Sequence, residues 1–347
     1  MGQGDFANMP ISGASDNTVR IWDTVARRPV STLVGHLARV TALAVSARAH
    51  LPSPVALRVS CERSLSPWLQ VSKPHGGMLL SGSWDYSVGL WNAKTGKCLA
   101  RMEDGHCSEV SAVLFGGGQA LSSGQDCRLC RWDCRSKTLV STVTAGVGGI
   151  TCMTALSSGH DGDDLAVVIT GSDSGTVMAV DARTGDVVRN FDPAGFDGES
   201  CTEGARVGRP GFEGLEGTIH SLAVMDNALY VGTSGDIHIF DFGTGALMSK
   251  LPGHVSLVSA LSPAPGGEQL LYSASWDGTV REWNTRTWTA TPNYLVNYNV
   301  LFNCMAVGEV VPTAHAGERR SSPCHPSGVM LAGEPRWAPL RLRRWRR

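Results

Sequence analysis

Short apolar runs recur along the chain at wide intervals. Val40–Val45, Val110–Leu114, Ile150–Ala155, His220–Val224 and Leu257–Leu261 are each five or six residues long and mostly small or apolar. Runs of that length, bounded by Gly, Ser and Asp, fit buried strands better than helices. No long helical pattern is evident. The clearest stretch is Leu271–Asn284, where two short strands flank a tight turn at Asp277-Gly278. Its marks recur at Ser12, Asp16 and Trp22, at Ser81, Asp85 and Trp91, and at Ser122, Asp126 and Trp132. In all four copies Ser to Asp is four residues and Asp to Trp is six. Two spacings kept four times make this a repeat protein.

The pattern resembles the WD-repeat family of β-propellers over roughly Ile11–Gly308. Trp91 to Trp132 is 41 residues and Phe240 to Trp283 is 43, within the family period of about 40–45 with Gly-His and Trp-Asp marks. The resemblance implies an all-β fold of four-stranded blades. Six are legible: Met9–Val34, Val40 onward, Glu109–Thr144, Ile150–Phe191, Thr218–Leu251 and Val255–Tyr294. Blade one lacks its innermost strand, and Val300–Val307 is apolar enough to supply it and close the ring. The reading preferred is a propeller over 9–308 followed by a basic, disordered tail over 309–347. The alternative is a truncated seven-bladed ring with Val329–Gly333 and Leu340–Trp345 as a decayed blade.

Two stretches interrupt the pattern. Ser46–Gly77 (the 46–77 insertion) holds four prolines and little strand periodicity, and loops of that length are unusual inside a compact domain. It reads as a disordered insertion, with an unspliced gene segment as the alternative. The 192–217 stretch, rich in Gly with acidic residues, reads as a flexible loop.

In the family, the His of Gly-His, the strand Ser, the turn Asp and the Trp form one hydrogen-bonded chain within a blade. The resemblance assigns His36, Ser81, Asp85 and Trp91 to blade two. It assigns His106, Ser122, Asp126 and Trp132 to blade three, and His254, Ser273, Asp277 and Trp283 to blade six. A buried indole N–H and a buried hydroxyl need such partners. Blades one, four and five lack a full set: no Gly-His precedes Ser12, Ser174 holds the Asp position and Val180 the Trp position, and Phe240 stands for Trp. Weaker local stability is expected there. An Asp-His-Ser set invites a hydrolase reading, but a set repeated in three blades, with its Ser inside a strand, is structural.

Composition narrows the remaining chemistry. Net charge is −1 across 347 residues, with 18% charged and 41 glycines. That argues against whole-surface attraction to nucleic acid or membrane and suits many turns. The N-terminus lacks an apolar run, Phe6 departs from a myristoylation signal, and no stretch approaches a membrane span. The ten cysteines are scattered, as expected for reduced thiols in cytosol or nucleus. Cys127, Cys130 and Cys134 lie in a turn, within a strand and beyond Trp132, so a zinc site is not expected. No metal or cofactor is implied. Five arginines in Leu340–Arg347 suit a nuclear address or nucleic acid, though without an aromatic platform they read as tail.

The function read from the sequence is a non-enzymatic protein–protein interaction scaffold. Family propellers bind partners where the Gly-His loops and Asp turns emerge, and those turns offer Trp84, Tyr86, Gln125, Arg128, Asp236 and Trp276. A sharper alternative rests on Trp132-Asp133-Cys134-Arg135. It matches the Trp-Asp-x-Arg ending of WD-repeat proteins that recruit substrates to cullin-RING ubiquitin ligases, with Arg135 facing the ligase adaptor. A reading of another class is an enzyme at the central channel, where His220 and Cys152 are the only reactive types on the inner strands.

Overall fold

The structure, a computed structural model, describes residues 10–23, 28–45, 68–70, 77–93, 95–116, 119–145, 148–156, 167–191, 215–264, 269–296, 304–309 and 327–332. The described residues contain strands and turns and no helix. Blade one takes β1 (Pro10–Gly13), β2 (Thr18–Asp23) and β3 (Arg28–Val34). Blade two takes β4 (Val40–Val45), then β6 (Met78–Ser83), β7 (Val88–Asn92) and β8 (Cys98–Met102), with β5 (Trp68–Gln70) between β4 and β6 in the chain. Blade three is β9 (Val110–Gly116), β10 (Gln119–Gly124), β11 (Arg128–Asp133) and β12 (Thr138–Thr144). Blade four is β13 (Ile150–Leu156), β14 (Val167–Ser172), β15 (Val177–Asp181) and β16 (Val187–Phe191). Blade five is β17 (Ser221–Met225), β18 (Ala228–Gly232), β19 (Ile237–Asp241) and β20 (Leu247–Leu251). Blade six is β21 (Val258–Pro263), β22 (Leu270–Ser275), β23 (Thr279–Asn284) and β24 (Thr289–Val296).

Burial explains the apolar pattern. The second strand of a blade is covered on both faces: in β6, β14 and β22 every residue after the first is buried. An outer strand such as β12 alternates exposed and half-buried positions, as a strand with one wet face must. The core therefore lies between blades. Leu80, Val88 and Leu90 of blade two pack on Val110, Val113 and Trp132 of blade three, and Trp91 packs back on Val19, Ile21 and Leu33 of blade one.

The ring closes differently from the sequence expectation. The innermost partner of β1 is β5, with Ile11 opposite Leu69, so the 46–77 stretch contributes this strand and Val300–Val307 does not. Instead β25 (Cys304–Glu309) pairs with β26 (Ser327–Ala332) as a two-stranded sheet. β25 lies beside β21 on one side and β5 on the other. Six four-stranded blades and one two-stranded sheet thus share the ring, and β26 carries the pairing beyond residue 308. Leu340–Trp345, the arginine-rich end, and most of 46–77 and 192–217 lie outside the described residues.

Two bulges repeat from blade to blade. Pairing of the third and fourth strands shifts at Trp22, Trp91, Trp132, Val180, Phe240 and Trp283 alike. Val180 and Phe240 therefore occupy the same structural position as the tryptophans. The inner strand shifts beside Thr41, Ser111, Thr151 and Ser259. The first three hydroxyls each bond a carbonyl of their own blade and one of the next, reaching Val110, Ile150 and Ile219. In blade five Ser221, one residue later, reaches Val258 O at 2.7 Å. These clips join each inner strand to its neighbour.

Candidate interaction face

The loop preceding each inner strand and the turn between the second and third strands meet at one end of the ring, here called the top. Trp84 N donates to Arg39 O, Gln125 N to Glu109 O, Asp173 N to Gly149 O and Trp276 N to Leu257 O. Below this rim lie the side-chain networks. Trp132 Nε1 donates to Ser122 Oγ at 2.8 Å, Ser122 Oγ lies 2.7 Å from His106 Nε2, and His106 Nδ1 is 3.1 Å from both Asp126 oxygens. In blade two Trp91, Ser81, His36 and Asp85 form the same series at 2.7, 2.6 and 3.0 Å. In blade six Trp283, Ser273, His254 and Asp277 form it at 2.8, 2.7 and 2.8 Å.

The direction of each bond follows from what its ends can do. An indole N–H only donates and a carboxylate only accepts, so the Nδ1 of each His carries a proton. In blades two and three the glycine of Gly-His is fixed by the indole beneath it, and in blade six by the Arg281 guanidinium. A Cβ at Gly35 would fall 2.9 Å from Cη2 of Trp91, and one at Gly105 2.5 Å from Cζ2 of Trp132. Burial raises the three carboxylates, but their hydrogen bonds, to histidine above all in blades two and three, overcome it and hold all three below the ordinary range. The histidines differ. Burial pulls both His106 and His254 down. Asp126 and Cys130 reverse this for His106, raising it to about 9, whereas Arg281 adds to it for His254, which stays below its ordinary value.

Each carboxylate has a further task. It accepts the backbone N–H of the residue after the His: Leu37 at 2.7 Å, Cys107 at 2.9 Å and Val255 at 3.2 Å. The loop is tied down by its backbone and the next side chain stands outward. Val255 is 86% exposed on blade six, and Leu37 is 71% exposed on blade two, where its N–H bonds the Asp85 that separates Trp84, 39% exposed, from Tyr86, 46% exposed. Sequence reasoning missed Leu37 and Val255. The available signal was an apolar residue directly after Gly-His, in a loop that should be polar.

The other predicted residues are disposed variously. Trp276, Gln125 and Asp236 are half-buried at the rim. Arg128 Nη1 donates to Gly105 O at 3.3 Å. Arg135 sits at the opposite end of β11, exposed, while Asp133 accepts its backbone N–H at 2.8 Å and the Ser136 hydroxyl at 3.0 Å. Cys130 contacts Gly105 O at 3.4 Å, and burial with Asp133 nearby pushes Cys134 up to about 11. In the channel layer Cys152 Sγ reaches Ile219 O at 3.5 Å, and His220 Nε2 is 3.5 Å from Ser234 Oγ.

Residues 245–284 match the family model described as WD domain, G-beta repeat. That span covers the last strand of blade five and the complete network of blade six. Blade six is a WD repeat. Angio-associated migratory cell protein of Canis lupus familiaris is 26% identical over 224 residues, 64% of this chain and 49% of that one. Mitochondrial division protein 1 of Candida glabrata is 24% identical over 53% of this chain and 26% of its own length. The chain spans at most about half the length of these two relatives. Among solved structures, the computationally designed Ika8 protein superposes with a TM-score of 0.60 at 21% identity, covering 94% of this chain and 78% of that one, a likeness of fold alone.

Proposed function

We propose that the chain is a non-enzymatic scaffold that holds partner proteins on the top rim around Leu37, Trp84 and Tyr86. The observation that carries this is the backbone of Tyr86. Its φ is 67°, in the left-handed region; the same turn position is Gly278 at 76° in blade six and Gly175 at 81° in blade four, and the smaller Asn17 at 68° and Cys127 at 62° in blades one and three, so Tyr86 is the bulkiest residue held there. A bulky residue there costs energy that a glycine avoids. The strain supports a role for the exposed ring, and its neighbour Trp84 carries Arg39 stacked over it at 5.1 Å. Exposed aromatics beside arginine are the composition of binding hot spots.

The cullin-RING receptor reading keeps one supporting observation. Asp133 accepts the Arg135 N–H and the Ser136 hydroxyl, and the Arg135 side chain is exposed at the end of β11 away from the rim. Quantitative pull-down from cell extract separates the two. We expect specific partners lost with the Trp84→Ala/Tyr86→Gly variant and retained with Arg135→Ala. A cullin-ligase adaptor captured by wild type and lost with Arg135→Ala would establish the receptor reading. Partners indifferent to the rim variant would overturn the scaffold reading as placed here.

A further inference from the structure

The same rim changes character on passing from blade two to blade five. Asp104, Glu109, Asp173, Glu216 and Asp236 lie on its loops and turns, all exposed or half-buried. Short contacts chain four of them round the ring. Gln125 N bonds Glu109 O, and the Gln125 side chain meets Gly149, which also adjoins the Asp173 carboxylate. Thr218 Oγ1 donates to Asp173 O, Gly217 approaches Ser234, and Ser234 precedes Asp236 by two residues. None of the five carboxylates forms an ion pair among the described residues. Among the described residues, the arginines near them have other partners: Arg39 is stacked on Trp84, Arg128 is bonded to Gly105 O, and Arg101 is paired with Asp85 and Glu103. The whole chain carries a net charge of only −1, so this is a local asymmetry: an apolar patch at one end and an uncompensated acidic arc beside it.

We infer that the partner of this face is a protein segment with an apolar anchor and a run of Lys or Arg. The anchor would cover Leu37, Trp84 and Tyr86, and the cations would follow the arc from Glu109 through Asp173 and Glu216 to Asp236. This rests on the scaffold reading above and adds the chemistry of what is held. Charge complementarity favours it. Unpaired carboxylates on an open rim raise the local concentration of cationic segments and repel anionic ones, phosphate backbones included. The apolar anchor supplies the contact that survives salt.

The test uses the full chain and three fluorescein-labelled nonapeptides: an apolar anchor followed by lysines, the same anchor followed by glutamates, and lysines without the anchor. In anisotropy titrations the first should bind at least tenfold more tightly than either other. Raising salt from about 50 to 300 mM, which shortens the screening length below ~10 Å, should weaken it severalfold. The Glu109→Gln/Asp173→Asn/Asp236→Asn variant should abolish that salt dependence. Each variant's melting temperature serves as the control for folding. Equal binding of the glutamate peptide, absence of salt dependence, or no binding of the first peptide would overturn the basic-partner inference. The scaffold reading is untouched by those outcomes and falls separately, if pull-down partners ignore Trp84→Ala/Tyr86→Gly.

Discussion

Blades two, three and six hold a complete Trp–Ser–His–Asp network; blades one, four and five do not, yet all six form the same four strands with the same bulge at the Trp position. The incomplete blades replace the polar chain in three ways. Blade one keeps Trp22 Nε1 on Ser12 Oγ at 2.8 Å and spends Asp16 on Thr18 and Arg20. Blade four substitutes a hydroxyl cluster, with Ser172 Oγ 2.8 Å from Ser174 and 2.6 Å from Thr176. Blade five substitutes apolar packing, Phe240 lying edge-on to Phe191 at 5.9 Å, and leaves His238 Nδ1 buried without a partner. The network is therefore not what makes a blade. Sheet pairing and the packing between blades do that. The network fixes the loop above the blade, because only its Asp captures the N–H after the His.

The comparison breaks most violently at the indole. Trp132→Ala removes a fully buried ring from between blades two and three and takes one of Ser122's two partners, and should cost about 3–5 kcal/mol in denaturant unfolding. A loss under ~1 kcal/mol would mean the blade contact repacks freely. Asp277→Ala is the next largest. It leaves the Val255 N–H without its acceptor and His254 Nδ1 with only the Thr279 hydroxyl at 3.1 Å, at about 1–3 kcal/mol. Its distinctive sign is local: hydrogen exchange should quicken over residues 253–257 while the blade-four turn at 172–176, which has no such tie, is unchanged. Equal protection at 253–257 before and after substitution would refute the claim that the carboxylate holds the loop.

Most of the fold was legible because three spacings survive in sequence: Ser to Asp, Asp to Trp, and Trp to Trp. They mark the blades even where Val180 and Phe240 replace the indole, since those residues still sit at the bulge. The clip residues Thr41, Ser111 and Thr151 were hidden because a hydroxyl after an apolar residue is too common a pair to signal anything alone. Ring closure was hidden for another reason. Any short apolar run meets the demand for an inner strand, so Val300–Val307 and Trp68–Gln70 were not distinguishable by pattern. The rim was half legible: Trp84 and Tyr86 stand beside the recognisable Asp85, whereas the acidic arc assembles from four separate loops and turns.

Acidity and alkalinity should separate blade three from blade six. His106 is raised to about 9, so its contribution is complete below the unfolded value of about 6.5 and is lost as pH climbs through about 9. His254 is lowered, so the unfolded chain takes up its proton first and that contribution fades as pH falls below about 6.5. The lowered Asp126 and Asp277 add a loss common to both blades as pH falls below about 4. Hydrogen exchange at pH 5.5 should therefore loosen residues 253–257 before 105–109, and exchange near pH 9.5 should reverse the order, once intrinsic rates are corrected. Parallel behaviour of the two loops would show that Cys130 and Arg281 do not set their histidines apart.

The smallest effect is the most discriminating. Ser122→Ala orphans two buried groups, the indole N–H of Trp132 and Nε2 of His106, and should cost about 1–3 kcal/mol. Ser12→Ala makes the same chemical change at the same strand position in blade one. There no histidine bonds the serine among the described residues, and Trp22 is half-buried, so water can take up its N–H; the expected cost is below ~1 kcal/mol. If the two substitutions cost the same, the serine acts only through the indole, and the histidine contributes nothing to a complete blade beyond what Trp and Ser already provide. If Ser122 costs at least twice as much, the second orphan accounts for the difference, and the network holds its loop through a bond that blade one never made.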